Sequence, residues 1–323
     1  MPRSGYRAGV TSVETVRGPI PVQALGVTLM HEHVFVLTAD VQQNYPDEWH
    51  EEVRVADAIA RLSELRALGV DTIVDPTVVG LGRYVPRIER VNAHVDLNIV
   101  VATGVYTYSD VPFYFRHRST AAMVDLFVRD LTEAIPGTGV RAAFLKCAID
   151  APGLTTGVER VLRAVCAAHH RTGAPIMVHT HPASRTGDVV ADVVRAEGVD
   201  PRRVLLAHSG DSTDVEHLTG LADAGFLLGM DRFGVAPILP TPQRVDVVVE
   251  LARRGYAERM VLAHDTACYI DWLDPARRSE TLPDWHFRHL HEDVLPALRD
   301  RGVSEVDITA MLVGNPRRFF ARA

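Results

Sequence analysis

Short apolar runs alternate with amphipathic stretches along the chain. Helical periodicity predicts helices over 53–68, 156–171, 214–224 and 244–254. Eight apolar runs rich in Val, Ile and Leu are typical of strands buried on both faces; they are VTLMHEHVFV, VDTIVDPT, LNIVVATGVY, RAAFLKCA, PIMVHTH, RVLLAHSG, GFLLGMDRF and RMVLAHDT. Eight strand and helix units predict a parallel sheet covered by helices, and closing such a sheet gives a (β/α)8 TIM barrel.

The alternative architecture is a doubly wound open sheet. That fold places a Gly-rich phosphate-binding loop after its first strand, and no such loop follows the first apolar run of this sequence. The chain also has no low-complexity linker or internal repeat that would mark a domain boundary. We therefore expect residues 1–323 to form a single α/β domain.

Composition and charge exclude several classes of partner. The formal net charge is −7 and charges of both signs are interspersed, so the chain lacks the basic stripe of a nucleic-acid-binding protein. No apolar run approaches the roughly 20 residues of a membrane span, and the first ten residues lack the apolar stretch of a signal peptide. Three cysteines without metal-motif spacing fit a reducing compartment. We expect a cytoplasmic protein without nucleic-acid or membrane partners.

Candidate chemistry lies at the carboxyl ends of the predicted strands, where barrel enzymes build their active sites. Because side chains alternate along a strand, His31 and His33 share a face while Glu32 points the other way. Imidazole and carboxylate ligands suit zinc, cobalt, iron or manganese. The strand ends together carry six candidate metal ligands: His31, His33, Lys146, His179, His208 and Asp265.

Lys146 requires a separate explanation, because a protonated amine has no lone pair to offer a metal ion. A crowded cationic site favours the neutral amine, which can react with carbon dioxide to form a carbamate. The carbamate is a carboxylate on a long arm, and its two oxygens can bridge two metal ions about 3.5–4 Å apart. If Lys146 is carbamylated in this way, it can serve as a ligand and bridge two divalent metal ions.

Simpler roles remain alternatives for individual residues. A lone histidine at a strand end is more often a hydrogen-bonded core residue than a ligand, although six ligand-type residues on five strands argue against this for the whole set. Lys146 could instead form a Schiff base in an apolar pocket without a metal. His181, two residues after His179, is a further candidate ligand or a hydrogen-bonding neighbour.

The residues at the strand ends resemble the pattern of the amidohydrolase superfamily. This pattern consists of the H-x-H of the first strand, the single lysine of the fourth, the lone histidines ending the fifth and sixth and the aspartate ending the eighth. The segments TLMHEHVF, ATGVYTYSDVPFYF, GDSTD, GMDRFG and NPRRFF more narrowly resemble the phosphotriesterase-like lactonases. The resemblance extends over nearly the whole chain and implies a homodimeric barrel with a bimetal centre. His31, His33 and Asp265 would hold the inner metal, His179 and His208 the outer one, and carbamylated Lys146 and a hydroxide would bridge them.

The resemblance also implies an activity. Members of this family open lactone rings, notably those of N-acyl-homoserine lactones, the reaction of quorum quenching, and hydrolyse organophosphate triesters more slowly. Asp265 would carry the proton, and Tyr106 and Arg232 match pocket residues that bind and orient the substrate. The loop 267–285, with Trp272 and Leu273, would line the acyl-chain site; its sequence departs from the family pattern directly after Asp265.

Two other functions remain open. One is a different amidohydrolase-superfamily reaction, such as an esterase, amidase or phosphotriesterase acting on another substrate. The other is a barrel that has lost catalysis and serves in binding, although the complete ligand set argues against it. Tyr106 and Arg232 could also be structural hydrogen-bonding residues at the rim, and Trp272 and Trp285 could pack the loop or a dimer contact.

Overall fold

The computed structural model describes residues 11–321. Residues 1–10, on which the expectation of a chain without a signal peptide rests, and residues 322–323 lie outside that range. The strands are β1 (Ser12–Thr15), β2 (Gly18–Pro21), β3 (Thr28–Leu29), β4 (His33–Val36), β5 (Thr72–Asp75), β6 (Asn98–Gly104), β7 (Phe144–Ala148), β8 (Ile176–His179), β9 (Val204–Ala207), β10 (Leu227–Met230), β11 (Met260–Leu262) and β12 (Ala267–Ile270).

Helices surround the strands and fill the connections between them. They are α1 (Ala39–Asn44), α2 (Pro46–Trp49), α3 (Glu51–Ala67), α4 (Val85–Asn92), α5 (Phe113–Arg116), α6 (Thr120–Thr132), α7 (Thr156–Thr172), α8 (Thr186–Ala196), α9 (Val215–Asp223), α10 (Thr241–Arg253), α11 (Pro275–Thr281), α12 (Leu295–Asp300), α13 (Glu305–Thr309) and α14 (Asn315–Phe320). The four predicted helices correspond to α3, α7, α9 and α10. Within the described range, no helix combines the length and apolar character needed to cross a membrane.

Eight parallel strands form a nearly closed barrel, in the order β11, β10, β9, β8, β7, β6, β5, β3. Each of the eight predicted runs supplies one of these strands, so the predicted (β/α)8 TIM barrel is confirmed. Side chains along β7 alternate between the inside of the barrel and the surface covered by the helices. Phe144 belongs to the apolar cluster inside the barrel, whereas Leu145 and Cys147 belong to the cluster beneath the helices. Lys146 shares the inward face with Phe144.

The prediction of one continuous first strand is wrong, because the structure divides this run into two segments. Only Thr28–Leu29 pairs with β5 in the barrel, and the second half of the run, β4, pairs with β12 in a separate two-stranded sheet. Between them the backbone bends at residues 30–32, where the Glu32 N–H donates to the Val74 carbonyl at 3.0 Å. The bend satisfies backbone groups against both neighbouring strands instead of one regular ladder.

The barrel closes between its first and last strands through few backbone contacts. The Asp265 N–H donates to the His31 carbonyl at 2.9 Å, and the His33 N–H donates to the Thr266 carbonyl at 2.8 Å. The side chain of Glu32 adds three hydrogen bonds across this junction between the first and last strands. We call the junction the seam and the three bonds the clasp. The Glu32 carboxylate accepts from the backbone N–H and the Nδ1–H of His264, both at 2.7 Å, and from the Thr266 N–H at 3.1 Å.

Both partners of this clasp are completely buried. Burial lowers the pKa of His264 to about 3, so its ring is neutral, and its Nε2 accepts the Leu290 N–H at 2.9 Å. Burial also raises the pKa of Glu32 well above its usual value, against the opposing effect of the two backbone donors. All three donors are nevertheless directed at carboxylate oxygens, so the ionised carboxylate is the form that satisfies this geometry.

Replacing Glu32 with Gln is expected to lower the free energy of unfolding by about 1–3 kcal/mol, because the amide NH₂ would face an N–H donor in a buried site. Urea denaturation measures the change. Glu64→Gln, at an exposed position on α3, is the matched control and should unfold like the wild type. Equal stability of the two variants would contradict a stabilising role for the clasp.

Candidate metal centre

A pocket of about 260 Å³ opens at the carboxyl end of the barrel. Because parallel strands end at one rim, side chains far apart in sequence converge there. Gly104 permits one close approach, since a Cβ at this position would collide with the Lys146 carbonyl. All six candidate ligands line the pocket: His31, His33, Lys146, His179, His208 and Asp265.

The ligand-type atoms fall into two groups. Asp265 Oδ1 lies 3.1 Å from His31 Nε2 and 3.3 Å from His33 Nε2, and these three residues could hold a metal ion. His179 Nδ1 lies 2.8 Å from His208 Nε2. The two groups adjoin, because the rings of His31 and His208 are 5.0 Å apart. The arrangement therefore provides two neighbouring sets of donors.

Hydrogen bonds to the opposite ring nitrogens fix how three of the histidines face the pocket. Asp231 contacts two of them, with Oδ2 2.9 Å from His31 Nδ1 and Oδ1 2.8 Å from His208 Nδ1. His33 Nδ1 lies 2.7 Å from Thr77 Oγ1. Acceptors at Nδ1 favour the tautomer whose Nε2 carries a free lone pair, as in many metal sites. These three rings therefore present Nε2.

His179 is held the other way around. Its Nε2 lies 2.6 Å from Asp150 Oδ2, and this hydrogen bond lowers the pKa of Asp150 to about 2. Burial lowers the pKa of His179 to about 4, so the neutral ring donates from Nε2 and leaves Nδ1 free. That nitrogen faces His208 and lies 3.1 Å from the Tyr106 hydroxyl. His179 would therefore bind a metal through Nδ1.

Lys146 supplies the test of whether this donor set fits metal ions. Its Nζ is buried and has no hydrogen-bond partner among the described residues, and burial lowers its pKa to about 8. An unpaired buried ammonium is costly, whereas a carbamate would bring two anionic oxygens to the same position. The orphaned nitrogen, the four imidazoles and the Asp265 carboxylate together form a donor set that fits divalent metal ions.

Arg232 lies between two carboxylates at the edge of this cluster. Its Nε donates to Asp265 Oδ2 at 3.0 Å and its Nη1 to Asp211 Oδ2 at 2.8 Å. Burial opposes ionisation of Asp265, but its interactions with His31 and His208, the hydrogen bond from His33 and the charge of Arg232 outweigh it and hold its pKa well below the usual range. The guanidinium thus lines the pocket while it fixes Asp265.

The backbone is strained at three residues of the site. His208, Arg232 and Asp265 have φ angles of 68°, 61° and 53°, in the left-handed region that residues with a Cβ seldom adopt. Each costs on the order of 1–3 kcal/mol and persists only where the surroundings hold it. The side-chain network around these residues provides that hold, and the turns direct their side chains into the mouth of the barrel.

Aromatic and aliphatic side chains form the outer wall of the pocket. The hydroxyl of Tyr106 contacts that of Tyr108, and the Tyr106 ring lies 6.5 Å from that of Trp272. Trp285 anchors the covering loop by donating to the His264 carbonyl at 2.9 Å. Trp272 and Leu273, the predicted acyl-chain residues, line the pocket and stay partly exposed. The wall consists of Val36, Leu81, Val235, Ile238, Ile270, Trp272, Leu273, Leu282 and Trp285.

Several residues of the site escaped the sequence prediction. Asp231 and Asp150 lie one and two residues past strands β10 and β7, so a search for carboxylates at strand ends would have found them. Thr77 lies in the loop after β5, and Asp211 ends a short 3-10 helix, Ser209–Asp211. Asp211 belongs to the segment GDSTD, but the sequence alone did not indicate a role for its carboxylate. His181, the extra candidate ligand, does not line the pocket, and its Nδ1 lies 2.9 Å from Ser184 Oγ.

Comparisons with known proteins agree with this architecture. The model of the phosphotriesterase family matches residues 11–320. A phosphotriesterase homology protein of Mycobacterium tuberculosis is 55% identical over 96% of this chain and 98% of its own length, and an aryldialkylphosphatase of Saccharolobus solfataricus is 37% identical over 92% and 95%. The structure of the phosphotriesterase from Mycobacterium tuberculosis superposes with a TM-score of 0.94, at 55% identity over 96% of this chain and 98% of that one. The chain therefore belongs to the phosphotriesterase family of hydrolases.

Proposed function

We propose that this chain is a binuclear metal-dependent lactonase that opens N-acyl-homoserine lactones or related lactones and hydrolyses phosphotriesters as a side activity. The observation that carries the proposal is the juxtaposition in one pocket of the donor cluster around Lys146 with a long apolar wall. The donor cluster suits hydrolysis of an electrophilic ester. The apolar wall suits a substrate with a hydrocarbon chain.

The metal ligands would divide between the two donor groups described above. His31, His33 and Asp265 would hold one ion, His179 and His208 the other, and the carbamate of Lys146 would contact both. When bound, the two ions, whether zinc, cobalt, iron or manganese, would lower the pKa of a shared water molecule and polarise the reacting carbonyl or phosphoryl oxygen.

Asp265 would carry the proton of the reaction. Water adds to the carbonyl carbon, the ring C–O bond breaks, and the proton passes from the water through the carboxylate to the leaving alkoxide. Arg232 supports this role by holding Asp265 Oδ2 at 3.0 Å while Asp211 holds the guanidinium. The Tyr106 hydroxyl would donate a hydrogen bond to the substrate, because burial raises the pKa of Tyr106 well above the usual value and keeps the hydroxyl protonated.

The acyl chain would lie against Trp272 and Leu273, which are the exposed end of the apolar wall. We therefore propose a lactone as the small-molecule substrate that this pocket binds. A cytoplasmic location, which rests on composition and cysteine usage, and a homodimer, which rests on the sequence resemblance, complete the proposal.

A second candidate is a phosphotriesterase whose main substrate is not a lactone. It is favoured by the names of the relatives, one of which is an aryldialkylphosphatase. Both reactions use the same donor cluster, and they differ in whether the substrate needs the long apolar wall. Substrate preference therefore separates the two candidates.

Ring opening of N-decanoyl-homoserine lactone, measured by pH-stat on protein purified with cobalt and bicarbonate, tests the main proposal. We expect turnover with a higher kcat/KM than for an aryl dialkyl phosphate, and a loss of about 100-fold or more after chelation, the order seen when a main electrostatic stabiliser is removed. Restored activity after metal is added back is the control. A metal-replete sample that hydrolyses only the phosphotriester would favour the second candidate.

Lys146→Ala should lose the bridging group, most of the activity and part of the bound metal. Metal content by elemental analysis, with and without a short-chain carboxylic acid, measures the effect, and the acid should restore part of both metal and activity. Lys146 is the only lysine of the chain, so wild-type protein in ¹³C-bicarbonate should give one lysine carbamate resonance. Wild-type metal content and turnover in the untreated variant would contradict the role of Lys146.

Tyr106→Phe is expected to reduce kcat/KM for the lactone by about tenfold, the value of one hydrogen bond of about 1–1.5 kcal/mol, and to affect the phosphotriester less. Tyr45→Phe is the matched control, because the Tyr45 side chain is exposed and does not line the pocket. Equal losses on both substrates would indicate that the Tyr106 hydroxyl is structural.

A further inference from the structure

A second cavity, of about 290 Å³, lies behind the loop that covers the metal centre, between α3 and residues 268–286. We call it the rear cavity. One loop wall separates it from the substrate pocket, since four apolar side chains line both spaces: Ile270, Leu273, Leu282 and Trp285. Anything that fills the rear cavity would therefore press on the wall of the substrate pocket.

Positive charge dominates the lining of the rear cavity. Arg54, Arg61 and Arg278 face it, and Asp57 is the one carboxylate among its lining residues. Asp57 is already engaged, because its Oδ2 accepts from Arg61 Nε at 2.8 Å. Over residues 11–321, Arg54 and Arg278 take part in none of the ion pairs of the structure. Two guanidinium groups thus share one cavity without a counter-ion on a protein whose net charge is −7.

Arg278 bonds only to neutral acceptors. Its Nη2 donates to Thr266 Oγ1 at 2.7 Å and to the Ala267 carbonyl at 3.2 Å, and its guanidinium lies 4.5 Å from the centre of the Trp285 ring. Burial, together with the charge of Arg61, lowers the pKa of Arg278 to about 10. Because its hydrogen-bond acceptors are all neutral, no carboxylate compensates its positive charge at this position.

Arg54 approaches the same cavity from α3. Its guanidinium lies 4.0 Å from the centre of the Tyr269 ring, and its Nε is buried without a hydrogen-bond partner in the described structure. The planar fork of arginine matches the oxygens of carboxylates and phosphates, and such charge-assisted bonds are about twice as strong as neutral ones. An oxyanion in the cavity would supply the missing partner.

We propose that the rear cavity binds a small oxyanion, a carboxylate or a phosphate, between Arg54 and Arg278. The bound anion accepts hydrogen bonds from both guanidinium groups, reduces their net positive charge and fixes the loop 267–286, including α11, against α3. Because that loop is also the wall of the substrate pocket, the anion acts as an effector of the pocket from outside it. The proposal does not depend on which ester the metal centre hydrolyses.

Calorimetric titration of the full-length, metal-loaded protein with inorganic phosphate, and separately with butyrate, tests the binding. Arg54→Gln should weaken binding of the preferred anion at least tenfold, and Arg54→Lys should lie between Gln and wild type. Arg195→Gln, which removes an exposed arginine of α8 paired with Asp192, is the matched control and should bind like wild type. Anion that binds at the metal centre contributes equally to all of these proteins.

The two titrations identify the anion. If Arg54→Gln binds more weakly than wild type only in the phosphate titration, the cavity is a phosphate site. If it does so only in the butyrate titration, the cavity is a carboxylate site. Identical titrations of Arg54→Gln and wild type with both anions would overturn the proposal.

Limited trypsin digestion tests the effect on the loop, because Arg277 is exposed on α11. The anion should slow cleavage there in wild type and not in Arg54→Gln. Unchanged cleavage in wild type would overturn the effector role.

Discussion

The carboxylate of Glu32 holds together the part of the barrel on which the site depends. The first and last strands meet through few backbone contacts, and Glu32 binds the N–H groups on both sides of Asp265. The same residue lies between His31 and His33. One buried side chain therefore sets the distance between three candidate ligands that come from opposite ends of the sequence, and any shift of the seam would move all three.

A second carboxylate couples the two donor groups. Asp231 contacts His31 in one group and His208 in the other, so the rings cannot reorient independently. Asp150 fixes His179 in the opposite tautomer. The cost of the left-handed backbone at His208, Arg232 and Asp265 is offset by these contacts. Carboxylates outside the six proposed ligands thus hold the imidazole rings in place, as hydrogen-bond partners of metal ligands commonly do.

Sequence reasoning predicted the barrel and the convergence of six side chains because both follow from periodicity and from one rule about strand ends. It did not predict the break at residues 30–32, because an apolar run looks the same whether it forms one strand or two segments with different partners. Asp231 and Asp150 were missed because a carboxylate that supports a histidine resembles any polar residue after a strand. The contacts of Thr77 with His33 and of Asp211 with Arg232 join segments far apart in the chain, so no local pattern predicts them. Metal binding by the six residues stays a prediction.

Lys146 is the one lysine among 34 lysine and arginine residues, and it is only 1% exposed. Every other basic side chain of the Lys and Arg class is a guanidinium, which stays protonated near neutral pH and is a poor nucleophile. The described surface therefore offers no lysine to amine-directed crosslinkers, acylating labels or aldehyde fixation. Reagents of this kind would leave the outside of the barrel largely unmodified, and any that reached a lysine would have had to enter through the mouth of the pocket.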